Sequence, residues 1–317
     1  MIPKTVQQLQ DKISTVFYDG RVVPAHTEYE HYYKDSEDGL VYASVTTKTS
    51  LLSRKYYKQM AADKAVDLIE GAIVLGTPLD KELMDKARQA HVADLEKAGM
   101  WGTHGHDLVD TYVNKWISTG KRPIEPIQTF ATSSISPQGV CAGLGAMKLF
   151  DEYDMFPIVS EKKIISKKHS YAGTLDSLWY IGEPLKDRGG LKECVHEWYE
   201  KKDKLTCMKC DRKIKLVLYL IDLKTSNSIF GRGEMSKFDY AMQVAAYSGA
   251  LKEMCGVIPK RHWIVRLDKS QPLYEVGDIP DIKLAYKMFL NINQIASYAR
   301  SPIDPIVPLK NKNTIMV

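Results

Sequence analysis

The segment 214–225, Ile-Lys-Leu-Val-Leu-Tyr-Leu-Ile-Asp-Leu-Lys-Thr, restricts the fold of this chain more than any other stretch. It is nearly continuously apolar over the length of one strand, the pattern of a central strand covered on both faces. It then ends in two charges. Side chains alternate along a strand, so Asp222 and Lys224 project from one side, in line with Leu216, Leu218 and Leu220. Burying unpaired charges is costly, so such a strand implies a sheet whose core opens at one end on a functional cleft. A neighbouring segment carries Gly173-Thr174-Leu175-Asp176, where glycine permits close approach and Asp176 can meet Asp222 across the sheet.

Two carboxylates beside a lysine are the equipment of metal-assisted phosphodiester hydrolysis. Mg²⁺ or Mn²⁺ takes oxygen ligands, which Asp176 and Asp222 supply. Lys224 can orient the attacking water or stabilise the charge that develops on phosphate. The competing interpretation is an Asp-Lys surface pair on an edge strand, against which the apolar character of the segment weighs.

The flanking sequence predicts an α/β chain. A short helix over 5–16 precedes aromatic, hairpin-like segments that end in the Val-Tyr-Ala-Ser-Val-Thr run at 41–46. Helical periodicity then runs from 53 to 73, from 79 until Gly99, and from Gly102 to Gly120. Ser136-Pro137 forms an N-cap and first-position pair for a helix reaching Phe150. Strands are expected at 158–166, 171–181 and 214–225. Ser236 with Asp239 opens a helix to 255, followed by strands at 261–267 and 273–276 and a helix over 281–300. The expected organisation is an N-terminal segment with a helical cap or arm (1–100) and an α/β core (101–317) holding an inserted module at about 185–213.

That insertion contains Cys194-x-His196 and Cys207-x-x-Cys210, three of the five cysteines of the chain. Two ligand pairs joined by a short turn suit a tetrahedral three-sulfur, one-nitrogen zinc knuckle. With four protein ligands the site is closed, hence structural, and it staples a segment too small for its own core. Free cysteines with an incidental histidine, or a redox-active Cys-x-x-Cys, are the alternatives. Around the module Trp198, Tyr199, Lys201, Lys202 and Lys204 can grip a nucleic-acid backbone or form a solvated lysine run.

Lys+Arg 44 against Asp+Glu 39 leaves a net charge of +5, and 44% hydrophobic with 26% charged residues excludes a disordered or collagen-like chain. No apolar run approaches the length of a membrane span and no signal-type hydrophobic region opens the chain, so a cytoplasmic protein is expected. The charge balance alone does not select a polyanion partner.

The series Gly102-Thr103-His104-Gly105-His106, Glu161, Gly173-Thr174-Leu175-Asp176, Asp222-Leu223-Lys224-Thr225-Ser226 and Gln243-Val244-Ala245-Ala246-Tyr247 resembles, in order, the RecB-type branch of the PD-(D/E)XK nucleases. The resemblance covers roughly 100 to 265, and 42–46 is similar to an entry segment of phage-type and mitochondrial genome-maintenance members. It implies a restriction-endonuclease-like mixed sheet flanked by helices. It further implies that Asp176, Asp222, the main-chain carbonyl of Leu223 and His106 bind the metal, with Lys224 as the motif lysine and Glu161 close by. Gln243 would orient that lysine, and Gln243, Tyr247 and His104 would contact DNA. Cys141 and Cys255 do not complete the four-cysteine iron-sulfur arrangement of some members, so no such cluster is expected. The implied activity is a Mg²⁺- or Mn²⁺-dependent exonuclease on DNA ends or single strands, serving replication, recombination or repair, in the host cytoplasm if phage-encoded. A structure-selective endonuclease and a non-catalytic DNA-binding subunit are the rival expectations.

Overall fold

A computed structural model describes residues 2–18, 20–26, 31–185, 194, 196–227 and 234–299. The chain opens with α1 (Lys4–Ile13), whose Val6 and Ile13 are buried, and continues through β1 (Val22–His26), β2 (His31–Asp35) and β3 (Val41–Ser44). Ser44 ends β3 and starts a helix: its hydroxyl accepts the Thr47 N–H at 2.9 Å, satisfying a first-turn donor. Val45 and Thr46, expected in the strand, are therefore the first residues of α2 (Val45–Val74).

The two helices expected between 79 and 120 are one, α3 (Lys81–Thr119), which passes through Gly99 and Gly102 and ends at Gly120 in the left-handed conformation. A helical glycine costs only about 1 kcal/mol against alanine. Here two of them permit close packing: a Cβ on Gly102 would lie 3.2 Å from Thr225 Oγ1, and one on Gly105 3.1 Å from Ala142 Cβ. Position 100 thus falls inside a helix, and the N-terminal segment adds three strands to the main sheet.

The remaining elements follow the sequence pattern closely, except that the insertion forms two short strands which the sequence reading does not include. They are α4 (Pro137–Glu152), β4 (Met155–Ser166), β5 (Tyr171–Pro184), β6 (Trp198–Lys201), β7 (Lys204–Cys207), β8 (Lys213–Thr225), α5 (Glu234–Cys255), β9 (Arg261–Leu267), β10 (Tyr274–Asp278) and α6 (Ile282–Ala299). All ten strands join one mixed sheet. β5 is antiparallel to β4 and β8, β8 is parallel to β9, and β3 joins β5 in parallel. Helices cover both faces. Leu108, Tyr112 and Trp116 of α3 pack with α4 on one side. Val244 and Leu251 of α5, Phe289 of α6 and Val6 of α1 pack on the other. The fold is α/β, a mixed sheet between helical layers. Among the described residues no helix is long and apolar enough to cross a membrane.

His262 makes part of the core acid-sensitive. His262 on β9 is 3% exposed, with Nε2 3.0 Å from Ser248 Oγ, and burial pushes its pKa down to about 4. Between pH 4 and 6.5 the unfolded chain binds more protons at this position than the folded one, so stability rises with pH across that window and is lost as pH falls through it. Urea unfolding at pH 7 and pH 4.5 should show an acid loss in wild type that exceeds that of His262→Asn by up to about 3 kcal/mol.

Candidate functional site

The edge of β5 that faces β8 is shared by two partners. β3 pairs with Tyr171 and Ala172, and β8 pairs from Ser177 onward. Between them, over 173–176, this edge has no strand partner among the described residues, and the sheet forks. The register places Asp176 opposite Asp222, one step past the last pair Ser177↔Ile221. In place of a ladder bond, the Leu223 N–H donates to Asp176 Oδ2 at 2.6 Å. A strand residue turns its N–H and C=O to the same side, so the Leu223 carbonyl also faces the fork.

The opposite edge of β5 contributes Glu161. The β4–β5 ladder runs through Ser160↔Ser177 and Lys162↔Leu175 and skips Glu161, whose φ of 47 is left-handed. For a residue with a Cβ that conformation costs roughly 1–2 kcal/mol, a strain typical of positions fixed for function. The turn aims the carboxylate at α3. His106 Nδ1 lies 3.2 Å from Glu161 Oε1 and 3.8 Å from Asp176 Oδ2, and one ligand atom from each of the three residues falls within 4.8 Å of the others. Asp222 is not in this group; its Oδ2 is 2.7 Å from Lys224 Nζ. The tightest cluster is therefore His106–Glu161–Asp176, with the Asp222–Lys224 ion pair beside it across the fork.

Electrostatics bind the two halves together. Burial alone would discharge His106, but the carboxylates of Asp176 and Glu161 outweigh it and hold the imidazole at about 9. Burial raises the Asp176 carboxyl against the pull of His106 and Lys224. Burial likewise raises Asp222, reinforced by Asp176 and opposed by Lys224, to about 6. For Lys224 burial is outweighed by Asp222 and Asp176, so its ammonium is held more firmly than usual. The ammonium lies 5.3 Å from the centroid of the Tyr240 ring. Asp222 is 0% exposed, and apart from the Lys224 ammonium 2.7 Å from Oδ2 neither of its oxygens meets a hydrogen-bond donor among the described residues. A buried carboxylate so poorly satisfied is unusual in a folded chain.

α5 underlies the fork. Gly173 is where the Tyr247 ring crosses β5: a Cβ there would lie 2.6 Å from Tyr247 Cε1. Gln243 Nε2 donates to Tyr247 Oη at 2.8 Å. Burial, then the charges of Asp222 and Asp176, push the Tyr247 phenol well above its ordinary value. At 8% and 3% exposure Gln243 and Tyr247 lie beneath the carboxylates, so they support the site and do not offer the DNA contact expected of them. His104 is also redirected. Its Nδ1 accepts the Ser136 N–H at 3.0 Å, tying α3 to the start of α4. Sequence reasoning missed Tyr33, whose hydroxyl is 2.9 Å from Thr174 Oγ1 at the fork; the alternation of β2 was its only signal. Above the cluster an open groove is lined by Gly102, Thr103, Asp107, Asp110, Lys163 and Thr174.

A second cluster lies in the insertion. Cys194 Sγ is 3.8 Å from Cys207 Sγ, Cys210 Sγ is 3.4 Å from His196 Nδ1, and the four ligand atoms all fall within 4.8 Å of one another. A tetrahedral zinc ion with ordinary bond lengths has S···S edges of about 3.8 Å and S···N edges of about 3.5 Å. The cluster can hold a metal such as zinc. Burial would raise the Cys207 thiol, but the Lys209 N–H and His196 outweigh it and bring the thiol down toward thiolate. β6, which crosses this module, also reaches the start of the chain: the Glu200 carboxylate accepts the N–H groups of Lys4 and Thr5 and the Thr5 hydroxyl, capping α1. Cys141 and Cys255 stand apart as free thiols.

A comparison with protein-family models gives no match, and neither does a comparison with curated proteins. Among solved structures, a chain described as "Crystal structure of SSO0001" aligns with 62% of this chain and 76% of its own at 15% identity and a TM-score of 0.25. A superposition that loose carries no argument, and the fold rests on the strands described above.

Proposed function

We propose that this protein is a metal-dependent deoxyribonuclease of the RecB-like PD-(D/E)XK type, acting as an exonuclease on DNA ends or single strands, with a structural zinc knuckle in its insertion. The observation that carries the proposal is the meeting of His106, Glu161 and Asp176 at the break in the β5 edge, with Asp222 and Lys224 facing them. The residues suit a divalent cation. Three acids face two cationic side chains, and among the described residues the buried oxygens of Asp222 meet no donor besides Lys224.

Asp176, Asp222, His106 and the Leu223 carbonyl would hold Mg²⁺ or Mn²⁺, with Glu161 adjoining. Such an ion lowers the pKa of bound water and offsets phosphate charge. The chain supplies the rest. Lys224 stays protonated, so it donates to a phosphate oxygen or positions the attacking water by its lone pair. Glu161, facing the groove, is placed to take the proton that the water gives up. Tyr247, held by Gln243 and packed on Gly173, keeps bulk water from the rear of the carboxylates.

The test uses linear DNA labelled separately at each end. With Mg²⁺ or Mn²⁺ the protein should release short products progressively from an end. Chelation should stop the reaction, and Lys224→Ala should slow it by roughly 10²–10³-fold, the usual cost of losing one charge-stabilising donor. Undiminished hydrolysis under chelation and in Lys224→Ala would remove the proposal.

A further inference from the structure

The insertion carries a surface that the site does not use. Residues paired across an antiparallel ladder share a face. In β6, β7 and the start of β8, one row is Tyr199, Thr206 and Lys213, and the next is Lys201, Lys204 and Lys215. All four lysines are exposed, and Tyr199 is 59% exposed. The other face of the same strands turns Leu205, Cys207 and Ile214 into the protein. Like charges directly opposite one another destabilise a sheet. Relief is slight: Asp203 is 3.7 Å from Lys215, and Glu183, which pairs with Lys215 across β5, already accepts the Tyr219 hydroxyl at 2.7 Å. Lys201, Lys204 and Lys213 have no acidic partner among the described residues. A three-stranded platform with a concentrated positive charge and one exposed aromatic ring is complementary to a phosphodiester backbone with bases that can stack.

We propose that this face is a second nucleic-acid contact, in which Lys201, Lys204, Lys213 and Lys215 bind backbone phosphates and Tyr199 stacks on a base. The choice of nucleic acid among polyanions rests on the nuclease proposal. Lys215 and Asp222 are seven residue steps apart along β8, about 23 Å at the ordinary strand rise, so the platform would hold substrate away from the bond that is cut. It therefore acts on long substrates and leaves short ones unaffected.

The experiment compares wild type with Lys201→Ala/Lys204→Ala/Lys213→Ala and with Tyr199→Ala, all at exposed positions. Binding of a long fluorescent single strand is read by anisotropy in chelator over a salt series, and hydrolysis is read on that strand and on a dinucleotide with Mn²⁺. The triple variant should lose at least about tenfold in affinity, and its salt slope should fall by roughly 2 for three lost phosphate contacts. Its dinucleotide rate should match wild type, and Tyr199→Ala should weaken binding with no change in slope. An unchanged affinity and slope in the triple variant would overturn the platform and leave the nuclease proposal standing. Equal loss on both substrates, or polyglutamate competing as well as an oligonucleotide, would also overturn it, the latter by assigning the face to acidic proteins. A wild-type protein that neither binds nor cuts would overturn both.

Discussion

Asp222→Asn is expected to abolish the rise in melting temperature that Mn²⁺ should give the wild-type protein under the proposed function, while the metal-free melting temperature stays within a few degrees of wild type. The argument is one of charge. Asp176, Glu161 and Asp222 face Lys224 and a His106 held at about 9, so the metal-free site has one acid too many. Removing the charge of Asp222 leaves two acids and two cations, and the site stays folded without an ion. It also removes a proposed ligand, so stabilisation by metal should disappear. In wild type a ligand at a hundred times its dissociation constant contributes about 2.7 kcal/mol, which in a chain of this size is a shift of roughly 5 °C. Lys224→Ala should do the reverse. Three acids are then left with His106 alone, and taking one member from a buried pair costs about 3–5 kcal/mol. Its metal-free melting temperature should fall, and its Mn²⁺-induced rise should exceed that of wild type. Differential scanning fluorimetry with and without Mn²⁺ reads both variants. Equal Mn²⁺ shifts in Asp222→Asn and wild type would exclude Asp222 as a ligand.

Cys207→Ser should remove about one equivalent of zinc per chain and loosen the insertion together with the start of the chain. β6 and β7 are four residues each, and Leu205 and Cys207 are their fully buried side chains, too little apolar area to hold a hairpin against its conformational entropy. Closing four ligands on zinc would supply what the core lacks, with apparent binding energies of about 10–16 kcal/mol in small zinc modules. Because Glu200 caps α1, the disturbance should travel: amide exchange should quicken in β6, β7 and the first turn of α1, and stay slow in α5. Metal analysis and hydrogen exchange of the variant beside wild type check this. Wild-type zinc content in Cys207→Ser would dismiss the four-ligand site.

Much of this was legible in the sequence because periodicity reports burial. β8 and β9 lie where apolar runs put them, and Ser136-Pro137 starts α4. The pairing of Asp176 with Asp222 followed from the strands alone. Other features depend on partners distant in the chain. Gly99 and Gly102 resemble helix stops locally, yet α3 runs through both, and its packing on Thr225 and α4 falls at Gly102 and Gly105. The approach of Glu161 to His106 depends on a left-handed residue in mid-strand, a tertiary strain with no local signature. Gln243 and Tyr247 share a helix face, as their spacing requires. Their depth is set by Gly173 on a strand about seventy residues earlier, beyond the reach of helical spacing.

The cap that Glu200 places on α1 spans 195 residues, and β3 joins β5 from a similarly remote part of the chain. Contacts of such long range form late, because the loop they close must be ordered first. During synthesis the amino-terminal helix and hairpin emerge early yet have nothing to dock on until the middle of the chain has been made. These elements are thus made well before the strands they dock on and are among the last to reach their final place, exposed to proteases and chaperones in the interval.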